Sequence, residues 1–412
     1  MAELMTAFYD DLERRSEEER DAALARDLPH LITLAKTKAA HYQTSLADID
    51  AEKITSREAL AALPVLRKSS LLQQPGQPLA VKTVVPHNFA DTHQIFQSPG
   101  PIYEIGMRGT DWWRFGRALA PIGIGKGDIV QNCFSYHFTP AGMMFESAAA
   151  SVGATVVPAG TGQTELQAQA MSALGVTAYA GTPDYLKAIL EKGEELGLDM
   201  SSVTKACVSG GPLFPALREE YDRRGILCRQ CYGTADVGHV AYESVETDGL
   251  ILDEGVVVEI VRPGTGDPVP DGEIGEVVVT TLNRDFPMIR FATGDLSAIM
   301  PGLSNCGRTN RRIVGWRGRA DQATKVKGMF VRPEQVAQLV ARYDEISRVR
   351  VTVTHDGSQD QMAVQIEGTP EAEQAYAEAV RDLLKLRGTI EVVAKDSLPN
   401  DGKVIDDQRT PG

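Results

Sequence analysis

The chain has 412 residues, 42% of them hydrophobic and 24% charged, a folded composition with room for two or three cores. Its net charge of -14 and pI near 5.1 argue against nucleic acid or an anionic membrane surface as a partner. No apolar run approaches the ~20 residues of a membrane helix, and the opening MAELMTAFYDDLERRSEEER lacks the apolar core of a signal peptide, so the cytoplasm is the expected location.

From the amino terminus, residues 7–43 are charged and helix-favouring, with Leu12, Leu24, Leu28, Ile32 and Leu34 at helical spacing. That pattern predicts two amphipathic helices packed on the main body. Ser56 is placed to cap a further short helix. From Gln94 onward, apolar strands (Ile129 to Phe134, Thr155 to Pro158, Ala178 to Gly181, Lys205 to Gly211) alternate with helical stretches (Thr164 to Leu174, Pro183 to Leu196). The alternation predicts a mixed α/β core with parallel strands. Between Gly249 and Met300, dense strands with Gly and Pro turns predict a small β-subdomain. After Asp321 the order strand, helix, strand, strand, helix, strand predicts a compact α+β unit. The expected fold class is α/β. A large N-terminal domain spans 1–320, with a helical segment over 1–75, and a small C-terminal domain spans 321–412.

Five cysteines, an odd number spread along the chain, do not suggest a disulfide framework. Cys228 and Cys231 have the spacing of a redox pair or half a zinc site. They lie in a strand-like run with no second such pair downstream, and read better as buried strand residues.

The chemistry concentrates between Pro287 and Gly328. Phe291 to Asp295 leaves an apolar strand through Arg290, and Gly294 lets the backbone turn to present the Asp295 carboxylate at a strand end. A carboxylate so placed suits the two hydroxyls of a ribose; taken alone it is also read as a turn aspartate satisfying local N–H groups. Gly318, Arg319, Ala320 and Asp321, followed by Lys325 to Gly328, look like a charged hinge rather than a core strand. For Arg319 the plain alternative is a salt bridge with Asp321. Ser209, Gly210, Gly211 and Pro212 follow an apolar strand, and the bare glycines would let a flat ring lie against the backbone; a strand-to-helix turn is the alternative.

With Tyr232-Gly233-Thr234-Ala235-Asp236, Pro270 to Glu276, Cys306 to Thr309 and Gly402-Lys403, these runs form an ordered set. From about Leu63 to the C-terminus the chain resembles the adenylate-forming acyl-CoA ligases, and within them the phenylacetate–CoA ligase family. The resemblance implies ATP or AMP held by Gly210, Gly211, Pro212, Tyr232, Gly233, Thr234, Asp295 and Arg319, with Asp236 on Mg²⁺. It implies Lys403 as the catalytic ammonium, a mobile lid hinged at Asp321, and Lys327 and Gly328 meeting coenzyme A. Tyr136, His137 and Phe138 match an aromatic segment that would line the acyl pocket, suiting a flat apolar acid.

The chain also departs from the pattern. Ala235 and Asp236 stand where the family has a hydroxyl residue and a glutamate; an aspartate can still hold Mg²⁺. The phosphate loop, Phe96 to Glu104 with Ser98 and Gly100, is short, lacks its lysine and carries two prolines that offer no N–H. Glu104 would add negative charge there, and Arg108 is the nearest cation in sequence. Some relatives hold a structural zinc where this chain has Ser244, Ser304 and Cys306; a lone thiolate cannot hold a tetrahedral ion, so no zinc is expected.

The function expected is ATP-dependent activation of an aryl or arylacetic acid to its adenylate and then its CoA thioester. An acyl-transfer or thioesterase-like paralogue without ATP-driven adenylation, and a non-catalytic ligand-binding paralogue, are the alternatives. The expected partners are a small aromatic acid, ATP and coenzyme A, with no nucleic acid and no membrane; a homodimer is among the open oligomeric states.

Overall fold

A computed structural model describes residues 8–99, 101–211, 213–322, 324–326, 329–355, 360–399 and 403–409. Its centre is a nine-stranded sheet. Five strands run parallel, in the order Thr155–Pro158, Ile129–Asn132, Ala178–Gly181, Lys205–Val208 and Leu227–Thr234. Antiparallel strands Gly238–Tyr242, Leu250–Leu252, Arg312–Ile313 and Ile299–Met300 extend it. The crossovers are helices Ala141–Ser151, Thr164–Ala173, Pro183–Glu195 and Pro215–Arg223, two of them opening on proline at a position whose N–H needs no partner. The strands Ile129–Asn132, Thr155–Pro158, Ala178–Gly181 and Lys205–Val208 and the helices Thr164–Ala173 and Pro183–Glu195 fall within a few residues of their sequence prediction, because the strands are short, mostly apolar runs, buried except at the edge strand Thr155–Pro158.

A second sheet carries the dense strands: Leu66–Arg67, Phe291–Ser297, Gly275–Thr281 and Val256–Val261, in that order. Leu66–Arg67 runs parallel to Phe291–Ser297, with Arg67 opposite Ala292. Asp295 therefore lies within a strand, not at a strand end. The irregular pairing of Phe291–Ser297 with Gly275–Thr281 around Gly294, at φ +77°, gives the local break that the sequence suggested as a turn. Arg290 is buried and bonds Glu259 and the carbonyls of Leu63 and Gly266, a staple between segments.

At the N-terminus the helix Glu17–Lys38 starts on Ser16 with a reciprocal Ser16–Glu19 capping box and buries Leu24, Leu28 and Ile32, whereas Leu12 is exposed. Ala40–Ser45 follows as the second helix. Ser56 caps Arg57–Ala61 through the Ala59 N–H.

The C-terminal strands Thr389–Val393, Asp360–Glu367, Arg348–His355 and Ile405–Asp407 form a four-stranded sheet. Helices Pro333–Arg342 and Glu373–Leu384 share a separate apolar cluster with it. Ile405–Asp407 was not predicted as a strand. Three residues with one apolar side chain are too few for alternation to show. Among the described residues no helix is long and apolar enough to cross a membrane.

Candidate active site

The Ile129–Asn132 strand is flanked by Thr155–Pro158 on one side and Ala178–Gly181 on the other, so the crossover direction reverses there. Open α/β sheets bind ligands beyond the carboxyl ends of the strands at such a point. A cavity of about 510 Å³ opens at this place, lined by Phe134, Met144, Phe145, Thr182, Ser209 and Gly210 among others. Its wall is aromatic: Phe134 stacks on Phe145 at 4.3 Å, and Phe145 meets Phe115 at 4.8 Å. Cys133, also in the wall, is pushed up to about 12 by burial and stays a thiol.

A second cavity of about 520 Å³ is lined by Gly210, Gly211, Tyr232, Gly233, Asp295 and Trp316 among others. The two cavities share Ser209, Gly210 and Gly233. Side chains are excluded from part of this seam: a Cβ on Gly233 would lie 2.6 Å from the Gly238 carbonyl and 2.8 Å from Phe115. The glycines of the sequence pattern thus keep an open joint between an aromatic chamber and a more polar one.

Asp295 is the polar centre of the second cavity. Its Oδ2 accepts from the Tyr232 hydroxyl at 2.8 Å, and its Oδ1 from Trp316 Nε1 at 3.1 Å and from Arg319 at 3.2 Å. Three of about four acceptor sites are occupied, which fixes the carboxylate and leaves room for a further donor. Burial and the Asp295 charge push the Tyr232 phenol well up, so it remains a donor. Arg319 lies over Gly294, where a Cβ would come 2.8 Å from the guanidinium. Asp295 and Arg319 bridge backbone to backbone as well as through their side chains. Trp316 was missed by the motif reading; an isolated tryptophan has no spacing signal to find it by.

Asp236 is buried, with Oδ2 accepting from Lys68 Nζ at 2.8 Å and from Thr234 Oγ1 at 3.3 Å, while Oδ1 has no hydrogen-bond partner among the described residues. Glu104 is buried beside this group. Burial, and then the neighbouring Asp236 charge, push its carboxyl up to about 7, so near neutrality it carries only part of the negative charge expected. Lys68 lies 168 residues from Asp236 in the chain. Arg108, nearest in sequence, is exposed and lines neither cavity.

Residues 109–283 match the family model described as "AMP-binding enzyme". A phenylacetate–coenzyme A ligase of Aromatoleum evansii is 28% identical over 376 residues, 88% of this chain and 84% of its own length. Another of that description, from Escherichia coli K12, is 33% identical over 61% of this chain and 59% of its own. The chain is similar to the adenylate-forming, phenylacetate–CoA ligase-like family along most of its length. A crystal structure of 2-hydroxyisobutyryl-CoA ligase with 2-HIB-AMP, in the postadenylation state, shares the fold at TM-score 0.76 and 21% identity, covering 97% of this chain and 91% of that one.

Against this family's pattern the remaining motif residues fall as follows. Ser98 ends a strand, Gln94–Ser98, paired with Ile102–Gly106, and lines the aromatic cavity. Tyr136, His137 and Phe138 are not among the residues lining that cavity, whereas their neighbours Phe134, Ser135, Thr139 and Pro140 are. The Tyr136 hydroxyl is bound by Asn132 at 2.7 Å, and Phe138, at φ +62°, turns outward and is 64% exposed. Lys403 lines a neighbouring cavity of about 280 Å³ and pairs with Asp406 at 2.9 Å. That cavity shares Trp316 and Arg317 with the Asp295 cavity. Asp321 lies in a short 3-10 turn, Ala320–Gln322. Gly100, Pro212, Lys327 and Gly328 lie outside the described residues. Cys228 and Cys231 are buried in the strand Leu227–Thr234 as free thiols, and burial pushes Cys228 up to about 12.

Proposed function

We propose that this chain is an ATP-dependent acid–CoA ligase for a small aromatic carboxylic acid. The observation that carries the reading is the pair of cavities joined at Ser209, Gly210 and Gly233, one walled by phenylalanines and one centred on Asp295. Gly210 and Gly211 would take the adenine face, and Asp295, held by Tyr232, Trp316 and Arg319, would accept from the ribose. The α-phosphate would then sit at the joint, where an acid in the aromatic cavity presents its carboxylate in line. Acid and ATP give acyl adenylate and pyrophosphate; coenzyme A then takes the acyl group and AMP leaves.

The Asp236 carboxylate fits Mg²⁺, because its buried Oδ1 has no partner among the described residues and a hard cation needs only one or two carboxylates. When bound there, the ion would neutralise phosphate charge. Lys403 is exposed and one cavity away, so the reading requires residues 321–412 to move as a lid about Asp321, bringing the ammonium to the developing charge and later withdrawing it. Lys327 and Gly328 are then the proposed contacts to coenzyme A, and the cytoplasm the proposed location.

The test is AMP formation from ATP, with coenzyme A and benzoic, phenylacetic and indoleacetic acids, for wild type and Lys403→Ala. AMP that requires both an acid and Lys403 establishes the ligase. The two prolines of the short hairpin tip, Pro99 and Pro101, favour one rival: a transferase or thioesterase acting on preformed acyl adenylate or acyl-CoA. It predicts no AMP from any acid and no thermal shift with ATP, but a shift with AMP.

A further inference from the structure

A third cavity, about 460 Å³, lies between the short strand Leu66–Arg67 with the turn Lys68–Leu71 after it and the segment Thr293–Gly294. Arg67, Lys68, Ser69, Pro99 and Arg319 are among its lining residues. None of these lies in the 109–283 stretch matched as an AMP-binding enzyme. Three cations, Arg67, Lys68 and Arg319, and one carboxylate, Glu276, stand among its described lining residues.

Each cation is seated on a carboxylate and faces outward. Arg67 pairs with Glu276 at 2.7 Å, Lys68 with Asp236 at 2.8 Å and Arg319 with Asp295 at 3.2 Å. The carboxylate side chains are 7%, 1% and 11% exposed, against 32%, 30% and 30% for the cations. Each partner orients its cation and also joins the cavity to the site. Asp295 lines the nucleotide cavity, and Asp236 is bonded by Thr234, which lines the aromatic one. The parallel pairing of Arg67 with Ala292 sets the whole group beside Gly294 and Asp295. Positive charge over a concave, open volume beside the ribose carboxylate is what a polyphosphate requires.

We propose that the β- and γ-phosphates of ATP, and the pyrophosphate formed from them, bind in this third cavity on Arg67 and Lys68. The segment Leu66–Leu71 then supplies the cations that the proline-bearing hairpin tip lacks. The inference rests on the ligase reading and deepens it. It also explains how a chain without the phosphate-loop lysine can use ATP: the charge arrives from a different part of the sequence.

The experiment is calorimetric titration of pyrophosphate, ATP and AMP into wild type, Lys68→Gln and Arg67→Gln. Glutamine keeps an N–H for the buried Asp236 or Glu276 while removing the charge, which guards the fold. Arg311→Gln, which breaks only the surface pair with Asp271, is the control. Each of the two cavity variants is expected to lose at least about tenfold in affinity for pyrophosphate and ATP and to keep AMP within about twofold. If Lys68→Gln does not fold, Arg67→Gln decides. Pyrophosphate and ATP affinities unchanged in the cavity variants, or AMP lost in step with them, overturn the inference while AMP binding by wild type keeps the ligase reading. Wild-type protein that binds neither AMP nor ATP removes the ligase reading itself.

Discussion

Around Arg308 and around Lys68 the chain buries carboxylates of the same kind, but the cations that answer them differ in exposure. Arg308 is fully buried and bonds Glu13 at 3.0 Å, with side-chain exposures of 0% and 1%. Arg117 joins Glu13 to Asp10 and Asp253, and Asp253 meets His239 at 3.3 Å. Apart from Asp10 at its edge, the charges there are buried and paired with one another, docking the N-terminal segment on the nine-stranded sheet. The cluster at Lys68 instead leaves about a third of each cation open to a cavity. A closed cluster holds segments together; an open one holds cations in readiness for a ligand. Burial of the carboxylates does not tell the two apart, whereas exposure of the cations does.

The contrast breaks most sharply at Arg308→Met, which leaves the buried Glu13 with the more distant Arg117, at 3.5 Å, to answer its charge. Burial already raises the Glu13 carboxyl, against the pull of Arg308 and Arg117, so losing one cation is expensive. Urea unfolding should show a loss of about 3–5 kcal/mol, with AMP affinity of the folded protein unchanged. A loss below about 1 kcal/mol would remove the structural role of the closed cluster.

Asp295→Ala should behave the other way. Tyr232, Trp316 and Arg319 lose their common acceptor, and AMP affinity should fall about a hundredfold, near 2.7 kcal/mol. Titration calorimetry that finds AMP affinity intact would dismiss Asp295 as the ribose carboxylate.

A pH series sharpens the closed side. Asp111 accepts from the Gly116 N–H at 2.8 Å and the Tyr9 hydroxyl at 3.0 Å, with Asp253 and Arg114 nearby. Burial, opposed by those hydrogen bonds, pushes its carboxyl up to about 6. A carboxyl raised in the folded state adds stability that is whole below about pH 4 and is lost as pH rises through about 6. Asp111→Asn should therefore be more stable than wild type by about 2 kcal/mol at pH 8, the gap closing towards pH 4. A gap independent of pH would mean that folding leaves the Asp111 carboxyl's proton affinity unchanged.

The same contrast explains what the sequence disclosed. Apolar strands, caps and the Gly-Asp and Tyr-Gly runs are local patterns, and local patterns survive in one dimension: Ser56 caps its helix and Tyr232 reaches Asp295. Two of the three pairs in the open cluster join residues 168 and 209 apart, so sequence proximity pointed to Arg108 instead of Lys68. At Tyr136 to Phe138 the segment was legible but its facing was not. A left-handed backbone at Phe138 is set by tertiary packing, and it leaves that ring exposed while Phe134 lines the cavity.

Lys403 offers the smallest effect on stability and the largest contrast with it. Its side chain is 54% exposed, and its partner Asp406 keeps a second cation, Arg350, at 3.0 Å. Removing an exposed partner from a carboxylate that stays paired should cost no more than about 0.5 kcal/mol. If the lid carries Lys403 to the developing charge, Lys403→Ala should lower acid-dependent AMP formation by about a hundredfold or more, leaving the unfolding curve and AMP affinity as in wild type. A variant that is slow only because it is unstable would lose AMP binding and activity together. Activity lost alone marks a residue that acts in a conformation other than the one in which it rests, paired with Asp406.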